Sequence, residues 1–314
     1  RLGTHLSNAK GVTTADVNGD GWVDALFANA FATDPPFLYI NQGASNPGVF
    51  SEEGSTRGLT ESLGSGGGQF GDLDDDGDLD LILMANYLGS GTGKPRLYFN
   101  DGAGFFTENA AALGATNKTE HMDAQLVDVD NDWDLDFFGI CRGNSTNSDH
   151  YLLLNDGTGT FTSGSSLPPS TSNNVYEAEM GDLDGDADLD VFFVSLSGFS
   201  EGTVSNELVP SSTLSYTSNG TLAGSVDDNE IVLLDYDVDG DYDVLVGSLG
   251  STETLWRNDG AFSFTNVSAA MITAVSDSTL DATRADLKND GRHEIVTAQG
   301  ESNSPQRNNQ IYIN

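Results

Sequence analysis

Six copies of a nine-residue acidic segment punctuate the chain, their first Asp falling at Asp16, Asp72, Asp128, Asp182, Asp235 and Asp286. The spacings are 56, 56, 54, 53 and 51 residues. A near-constant period of this length marks a repeat architecture, in which each unit buries its faces against its neighbours. In the second copy, "DLDDDGDLD" (72–80) runs directly into the apolar stretch "LILMAN". The other copies enter "ALFANA", "FFGIC", "VFFVSL", "VLVGSL" and "IVTAQ" in the same way. A second apolar run follows, usually closing on Asn: "FLYIN", "RLYFN", "HYLLLN", "TLWRN" and "QIYIN". Three of these enter an "NDG" turn, at Asp101-Gly102, Asp156-Gly157 and Asp259-Gly260, a strong hairpin signal. Aromatic strands are then expected from Phe50, Phe105, Phe161, Tyr216 and Phe264. In the fourth copy, "ELVPSSTLSYT" lacks both the Asn and the turn, so its hairpin is expected to be reshaped around Pro210.

Each unit thus reads as four short strands without helical periodicity, which predicts an all-β chain. The expected fold is a β-propeller of six four-stranded blades with the acidic loop between strands one and two. The repeats fall at about 1–57, 58–113, 114–168, 169–222, 223–272 and 273–314 of a single domain, 1–314. A parallel β-helix is the rival, but its repeats are far shorter. The last copy stops at "IYIN", ahead of an aromatic fourth strand. That leaves two expectations: a three-stranded sixth blade patched by residues 1–6, or a seventh blade in the full-length protein. A start at Arg1 without Met fits a processed or trimmed chain.

Carboxylates crowded within a few ångströms repel one another unless a cation neutralises them. Oxygens at loop positions 1, 3, 5 and 9, with a backbone carbonyl at 7, can wrap a sphere, and hard oxygen ligands in a flexible loop suit Ca2+. Gly at position 6 permits the sharp reversal. A helical EF-hand is excluded, since it needs a Glu at position 12 and flanking helices. Loop 1 offers Asp16, Asn18, Asp20, the carbonyl of Trp22, and Asp24. Loop 2 offers Asp72, Asp74, Asp76, the carbonyl of Asp78, and Asp80. Loop 3 offers Asp128, Asp130, Asp132, Asp134 by its carbonyl, and Asp136. Loop 4 offers Asp182, Asp184, Asp186, Asp188 by its carbonyl, and Asp190. Loop 5 offers Asp235, Asp237, Asp239, the carbonyl of Asp241, and Asp243. Loops 3 and 4 carry Trp133 and Ala187 where Gly is expected. A left-handed non-Gly residue costs on the order of 1 kcal/mol, so these loops are expected to bind with modest weakening. Loop 6, "DLKNDGRHE", puts Lys288 at a ligand position and Glu294 at the close, and its ammonium is expected to stand in for a metal. About five Ca2+ are therefore expected.

"QFGDLDDDGDLD" and "EMGDLDGDADLD" resemble the FG-GAP/VCBS repeat family, which includes the propellers of integrin α-subunits. The resemblance covers almost the whole chain. It implies a calcium-stabilised propeller and a ligand face opposite the calcium loops.

Formal net charge is −37, from 49 acidic and 12 basic residues. The six loops hold 27 acids and two bases, a net of −25. Nucleic acid and anionic membrane are thereby poor partners. Loops of this kind suit extracellular calcium levels, so the expected location is secreted or cell-surface, within a larger multidomain surface protein. Cys141 is the only cysteine and reads as a small buried hydrophobe. Four Asn-x-Ser/Thr triplets, at Asn117, Asn144, Asn219 and Asn266, matter only in a eukaryotic secretory pathway.

The face opposite the calcium loops carries the longer segments, and variable loops on a rigid scaffold concentrate binding residues. Phe31, Tyr87, Arg142, Phe199 and Arg307 there suit contacts to a carbohydrate or an extracellular protein. Two function classes follow: a calcium-binding recognition or adhesion module, and a carbohydrate-active enzyme such as a polysaccharide lyase. The four histidines, His5, His121, His150 and His293, form no readable catalytic arrangement, which favours the module.

Overall fold

A computed structural model describes residues 9–30, 34–85, 94–109, 113, 121–141, 150–164, 175–195, 200–206, 214–223, 228–249, 251–272, 279–299 and 310–312. The chain divides into two compact units, 1–164 and 165–314. Each holds three antiparallel sheets in simple up-and-down order.

In the first unit, sheet 1 comprises β1 (Ala9–Ala15), β2 (Asp24–Asn29), β3 (Phe37–Asn41) and β4 (Phe50–Glu52). Sheet 2 comprises β5 (Gly68–Gly71), β6 (Asp80–Leu83), β7 (Arg96–Asn100) and β8 (Phe106–Glu108). Sheet 3 comprises β9 (His121–Val127), β10 (Asp136–Cys141), β11 (Tyr151–Leu154) and β12 (Thr162–Ser163). The second unit repeats the plan with sheet 4, β13 (Val175–Gly181), β14 (Asp190–Ser195), β15 (Ser200–Asn206) and β16 (Tyr216–Ala223). Sheet 5 is β17 (Asp228–Leu234), β18 (Asp243–Ser248), β19 (Thr254–Asn258) and β20 (Phe264–Asn266), and sheet 6 is β21 (Thr279–Ala285), β22 (Glu294–Gln299) and β23 (Gln310–Tyr312). Short helical turns at Gly43–Ser45, Ser55–Arg57 and Ser268–Met271 are the only departures from strand and loop among the described residues.

The second strands of sheets 2–5 (β6, β10, β14 and β18) are apolar after their opening Asp at nearly every position and buried along their described length, as strands covered on both faces are. Sheets 1 and 2 share a cluster that includes Leu26, Leu38, Leu81, Leu83 and Tyr98. Sheets 2 and 3 share Ile82, Leu97, Ala124, Phe137 and Leu153. In the second unit, Phe192, Ile231, Val244 and Trp256 join sheets 4 and 5, and Leu234, Leu245 and Ile295 join sheets 5 and 6. The Phe-Gly step ahead of loop 2 has its reason here: a Cβ on Gly71 would fall 2.8 Å from Cδ1 of Leu135 in loop 3 and 3.0 Å from Cδ1 of Leu126 in β9. Cys141 is buried within β10, as its apolar setting predicts.

Three expectations are corrected. Among the described residues five sheets have four strands and the sixth has three, not six of four. The third strand of sheet 4 is "SEGTVSN", a stretch whose composition reads as loop. Its register with β16, Asn206 opposite Tyr216, matches Asn41 opposite Phe50 and Asn258 opposite Phe264. The closing Asn is therefore retained, as Asn206, although the strand has almost no apolar alternation to announce it. The "NDG" turns open five-residue connections, since Asn100 pairs with Phe106 and Asp101 N–H donates to Phe105 O at 3.1 Å. Strands β8 and β12 accordingly start one residue later than expected, at Phe106 and Thr162.

Candidate metal centre

Each acidic loop joins the first strand of its sheet to the second, and side-chain-to-backbone bonds repeat at the same positions in all six. The position-6 N–H donates to the position-1 carboxylate: Gly21 to Asp16 (2.7 Å), Gly77 to Asp72 (3.0 Å), Trp133 to Asp128 (3.0 Å), Ala187 to Asp182 (3.1 Å), Gly240 to Asp235 (3.1 Å) and Gly291 to Asp286 (2.8 Å). The position-7 N–H donates to position 5, as in Asp78 to Asp76 (2.9 Å) and Asp241 to Asp239 (3.0 Å). These bonds curl the loop so that its carboxylates point inward. The backbone turns twice through left-handed conformations, and only the second was legible in the sequence. Trp133 (φ 79°) and Ala187 (φ 74°) adopt it at position 6, as expected, while Asp75, Asn131, Val238 and Asn289 adopt it at position 4.

The inward carboxylates converge. In each of four groups one oxygen per residue lies within 4.8 Å of the others: Asp72, Asp74 and Asp80; Asp128, Asp130 and Asp136; Asp182, Asp184 and Asp190; Asp235, Asp237 and Asp239. Loop 1, where Asn18 replaces an acid, keeps the same fold through Asp20 N–H to Asp16 (3.1 Å) and Asn18 Nδ2 to Asp20 (3.3 Å). Asp72 Oδ1, Asp74 Oδ1 and Asp130 Oδ1 are buried without a hydrogen-bond partner. An unpaired buried carboxylate oxygen is costly, and an oxygen-preferring divalent cation is the group that fits this donor set. Burial and neighbouring carboxylates push the Asp74, Asp130, Asp184 and Asp237 carboxyls up.

The closing position works differently. Asp80 is fully buried, and its two oxygens accept from Leu73 N–H (3.0 Å) and Asn100 N–H (2.9 Å). Asp24, Asp136 and Asp243 repeat both bonds, to Val17 and Asn41, Val129 and Asn155, and Tyr236 and Asn258. Burial pushes Asp80 up to about 6 and Asp136 and Asp243 to about 7, against the pull of those backbone donors. Position 9 therefore pins the loop to the third strand, a role that sequence reading missed.

In loop 6, Lys288 Nζ lies 3.2 Å from both Asp290 Oδ2 and Glu294 Oε1, so an ammonium bridges the carboxylates of positions 5 and 9. Glu294 still accepts from Leu287 N–H at 2.8 Å. The turns between third and fourth strands lie beside these loops: Gly102, at φ 76°, sits so close to Asp78 that an added Cβ would fall 2.5 Å from Asp78 Oδ2 and push that carboxylate aside. In the second unit a cavity of about 470 Å³ beside loops 4 and 5 is lined in part by Glu179, Glu230, Tyr242 and Arg284. The Arg284 guanidinium stacks 5.7 Å from the Tyr242 ring centroid.

The five side chains proposed for ligand contact, Phe31, Tyr87, Arg142, Phe199 and Arg307, lie outside the described residues. Of the four histidines, His121 is the first residue of β9 and is buried. Its Nδ1 lies 3.0 Å from Ala85 O and its Nε2 2.8 Å from Tyr151 Oη. A carbonyl only accepts, so Nδ1 carries the proton and Nε2 accepts from the tyrosine. Burial lowers the His121 pKa to about 4.

With loops of this geometry in register, comparison with known proteins is decisive for family. A family model described as "FG-GAP-like repeat" matches residues 16–83, 128–193 and 235–297, each match opening on the first Asp of loop 1, 3 or 5. The chain belongs to the FG-GAP-like repeat family. With its meandering sheets it is an all-β chain of the β-propeller class. No curated protein matches the sequence. Among solved structures, it resembles BBS1N in complex with ARL6DN soaked with lead, with TM-score 0.52 and 10% identity over 94% of this chain and 77% of that one. The mercury-soaked form of the same complex gives TM-score 0.50 and 10% identity over 93% and 77%. The V. cholerae biofilm matrix protein Bap1 matches with TM-score 0.45 and 9% identity over 94% and 66%. At such identities the first two show fold alone. Among the described residues no helix is long and apolar enough to cross a membrane.

Proposed function

We propose that this FG-GAP-like repeat chain is a calcium-stabilised extracellular recognition or adhesion module. It holds about five Ca2+ in loops 1–5 and binds a carbohydrate or an extracellular protein on the face opposite those loops. The observation that carries the metal half is the convergence of loop carboxylates around buried oxygens that have no partner in the protein. Loop 6 is excluded from the count because Lys288 already supplies the positive charge. The family and the strongly acidic composition support an extracellular setting, where calcium is abundant enough for open loops of this kind.

Calorimetric titration with Ca2+ tests the metal half. About five sites are expected, and two or fewer would sink the assignment of loops 3 and 4. Screening against glycans and matrix proteins, with product analysis of any hit, tests the recognition half. Stable binding that is lost in Tyr87→Ala or Arg142→Ala supports a module, whereas cleavage of a polysaccharide with unsaturated ends would replace it with an enzyme.

A further inference from the structure

The Asn that closes the third strand does more than end it. Asn100 Nδ2 donates to Leu79 O of its own loop at 3.0 Å and to Val17 O of the preceding loop at 2.7 Å. Asn155 repeats this with Leu135 O at 3.3 Å and Leu73 O at 2.9 Å, and Asn258 with Tyr242 O at 3.2 Å and Leu183 O at 2.8 Å. Each of these Asn residues has its own N–H held by the closing Asp of its loop: Asp80, Asp136 or Asp243. Each receiving residue, Val17, Leu73 or Leu183, has its N–H held by the closing Asp of the preceding loop, Asp24, Asp80 or Asp190. In the first unit the bonds join end to end, from Asp24 through Val17, Asn100, Asp80, Leu73 and Asn155 to Asp136. Every member is buried.

We propose that this relay couples neighbouring calcium loops, so that metal at one loop raises affinity at the loop before it, with Asn100, Asn155 and Asn258 as the positioning residues. The inference rests on the calcium reading above and adds communication between the sites. Val17 lies between Asp16 and Asn18, the first two ligand positions of loop 1, so fixing its carbonyl fixes where both side chains project. Leu73 holds the same place between Asp72 and Asp74, and Leu183 between Asp182 and Asp184. A buried polar chain in which every group is satisfied tolerates little displacement of any one member, because moving it leaves a donor or acceptor unpaired in low dielectric. Order imposed at loop 2 by a metal therefore reaches the ligands of loop 1 as order, and linkage makes the effect reciprocal.

The experiment separates the relay from the sites. Asp74→Ala deletes a ligand of loop 2 without touching any bonded member of the relay. Calcium is titrated into the full chain while hydrogen exchange is followed by mass spectrometry in peptides covering residues 16–24. With Asn100 present, Asp74→Ala is expected to move the midpoint of loop 1 protection about tenfold higher in calcium, within the usual span of coupling between sites. In the Asn100→Ala background the same substitution should move it by less than about twofold, the coupling having been removed. Equal shifts in both backgrounds, or no shift with Asn100 present, would overturn the coupling while leaving the sites intact. Absence of any calcium-dependent protection in the unsubstituted chain would overturn the calcium reading itself, and the relay's proposed role with it. Should Asn100→Ala fail to fold, the same cycle is run one step along, with Asp130→Ala and Asn155→Ala read at residues 72–80.

Discussion

Loops 2 and 6 have nearly the same backbone and opposite chemistry. Both place the position-6 N–H on the first Asp, at 3.0 Å and 2.8 Å, and both bring the position-2 N–H to the closing carboxylate, at 3.0 Å and 2.8 Å. Loop 2 then gathers three carboxylates around oxygens without partners, while loop 6 inserts the ammonium of Lys288. The shape of such a loop is thus set by its own side-chain-to-backbone bonds. The charge at its centre is a separate variable: loop 2 presents clustered carboxylates that a cation would neutralise, and loop 6 supplies a lysine of its own. Conformation alone does not distinguish the two loops; the donor set does.

The largest expected break between the two is metal removal. At free calcium about a hundredfold above Kd, each occupied site adds about 2.7 kcal/mol, so EDTA should lower the urea midpoint and melting temperature sharply through loops 1–5. An unchanged melting curve would mean that these loops are solvated acidic turns like any other. Next, Asp80→Ala should cost on the order of 3 kcal/mol even in EDTA, because it leaves the Leu73 and Asn100 N–H groups buried and unpaired. A cost seen only with calcium present would make Asp80 a ligand and nothing more.

The other end of sheet 3, away from its loop, provides a metal-free control with its own pH signature. His121 has a folded pKa of about 4, below the ordinary 6.5, so the unfolded chain binds the proton more readily between those values. Its contribution is present above about pH 6.5 and is lost as pH falls toward 4, up to about 3 kcal/mol. His121→Gln, which can still donate to Ala85 O and accept from Tyr151, should flatten that limb of the stability profile in urea titrations. A slope unaltered by the substitution would place the titrating group elsewhere. The smallest effect belongs to the left-handed positions. Trp133, at φ 79° and 91% exposed, loses little contact as Trp133→Gly and sheds strain of about 1 kcal/mol, offset in part by the entropy of glycine in the unfolded chain. Tighter calcium binding at loop 3 by a fewfold is expected, and weaker binding would show that the indole supports the loop.

Much of the fold is legible in the sequence because its signals are local. A nine-residue loop with Asp at fixed positions, followed by an apolar strand, needs no distant residue to be recognised, and six copies give the period. What was missed depends on neighbours. Strand β15 is built of Ser, Glu, Gly, Thr, Val and Asn and owes its place to pairing with β14 and β16, which no pattern within seven residues discloses. The recurrent Asn after "RLYF" and "YLLL" was visible, but it reads as a turn residue until its Nδ2 is seen to reach the loop of another sheet. Lys288 at a ligand position was readable, since a basic side chain among the loop acids carries the charge that a cation would otherwise bring. Val238, left-handed at position 4, leaves no trace in sequence, because other loops place Gly, Asp or Asn there and a β-branched residue argues against the conformation.

The three tryptophans stand in three different surroundings, and this makes the chain its own optical instrument. Trp22 sits in loop 1, half in water and against Gly43; Trp133 stands almost wholly in solvent on loop 3; Trp256 is enclosed between sheets 4 and 5. Acrylamide should quench Trp133 most and Trp256 least. With Trp133→Phe, the remaining solvent-accessible emission comes from loop 1, and with Trp22→Phe it comes from loop 3. Two loops of one unit can thereby be followed separately, by fluorescence, without attaching a dye to either.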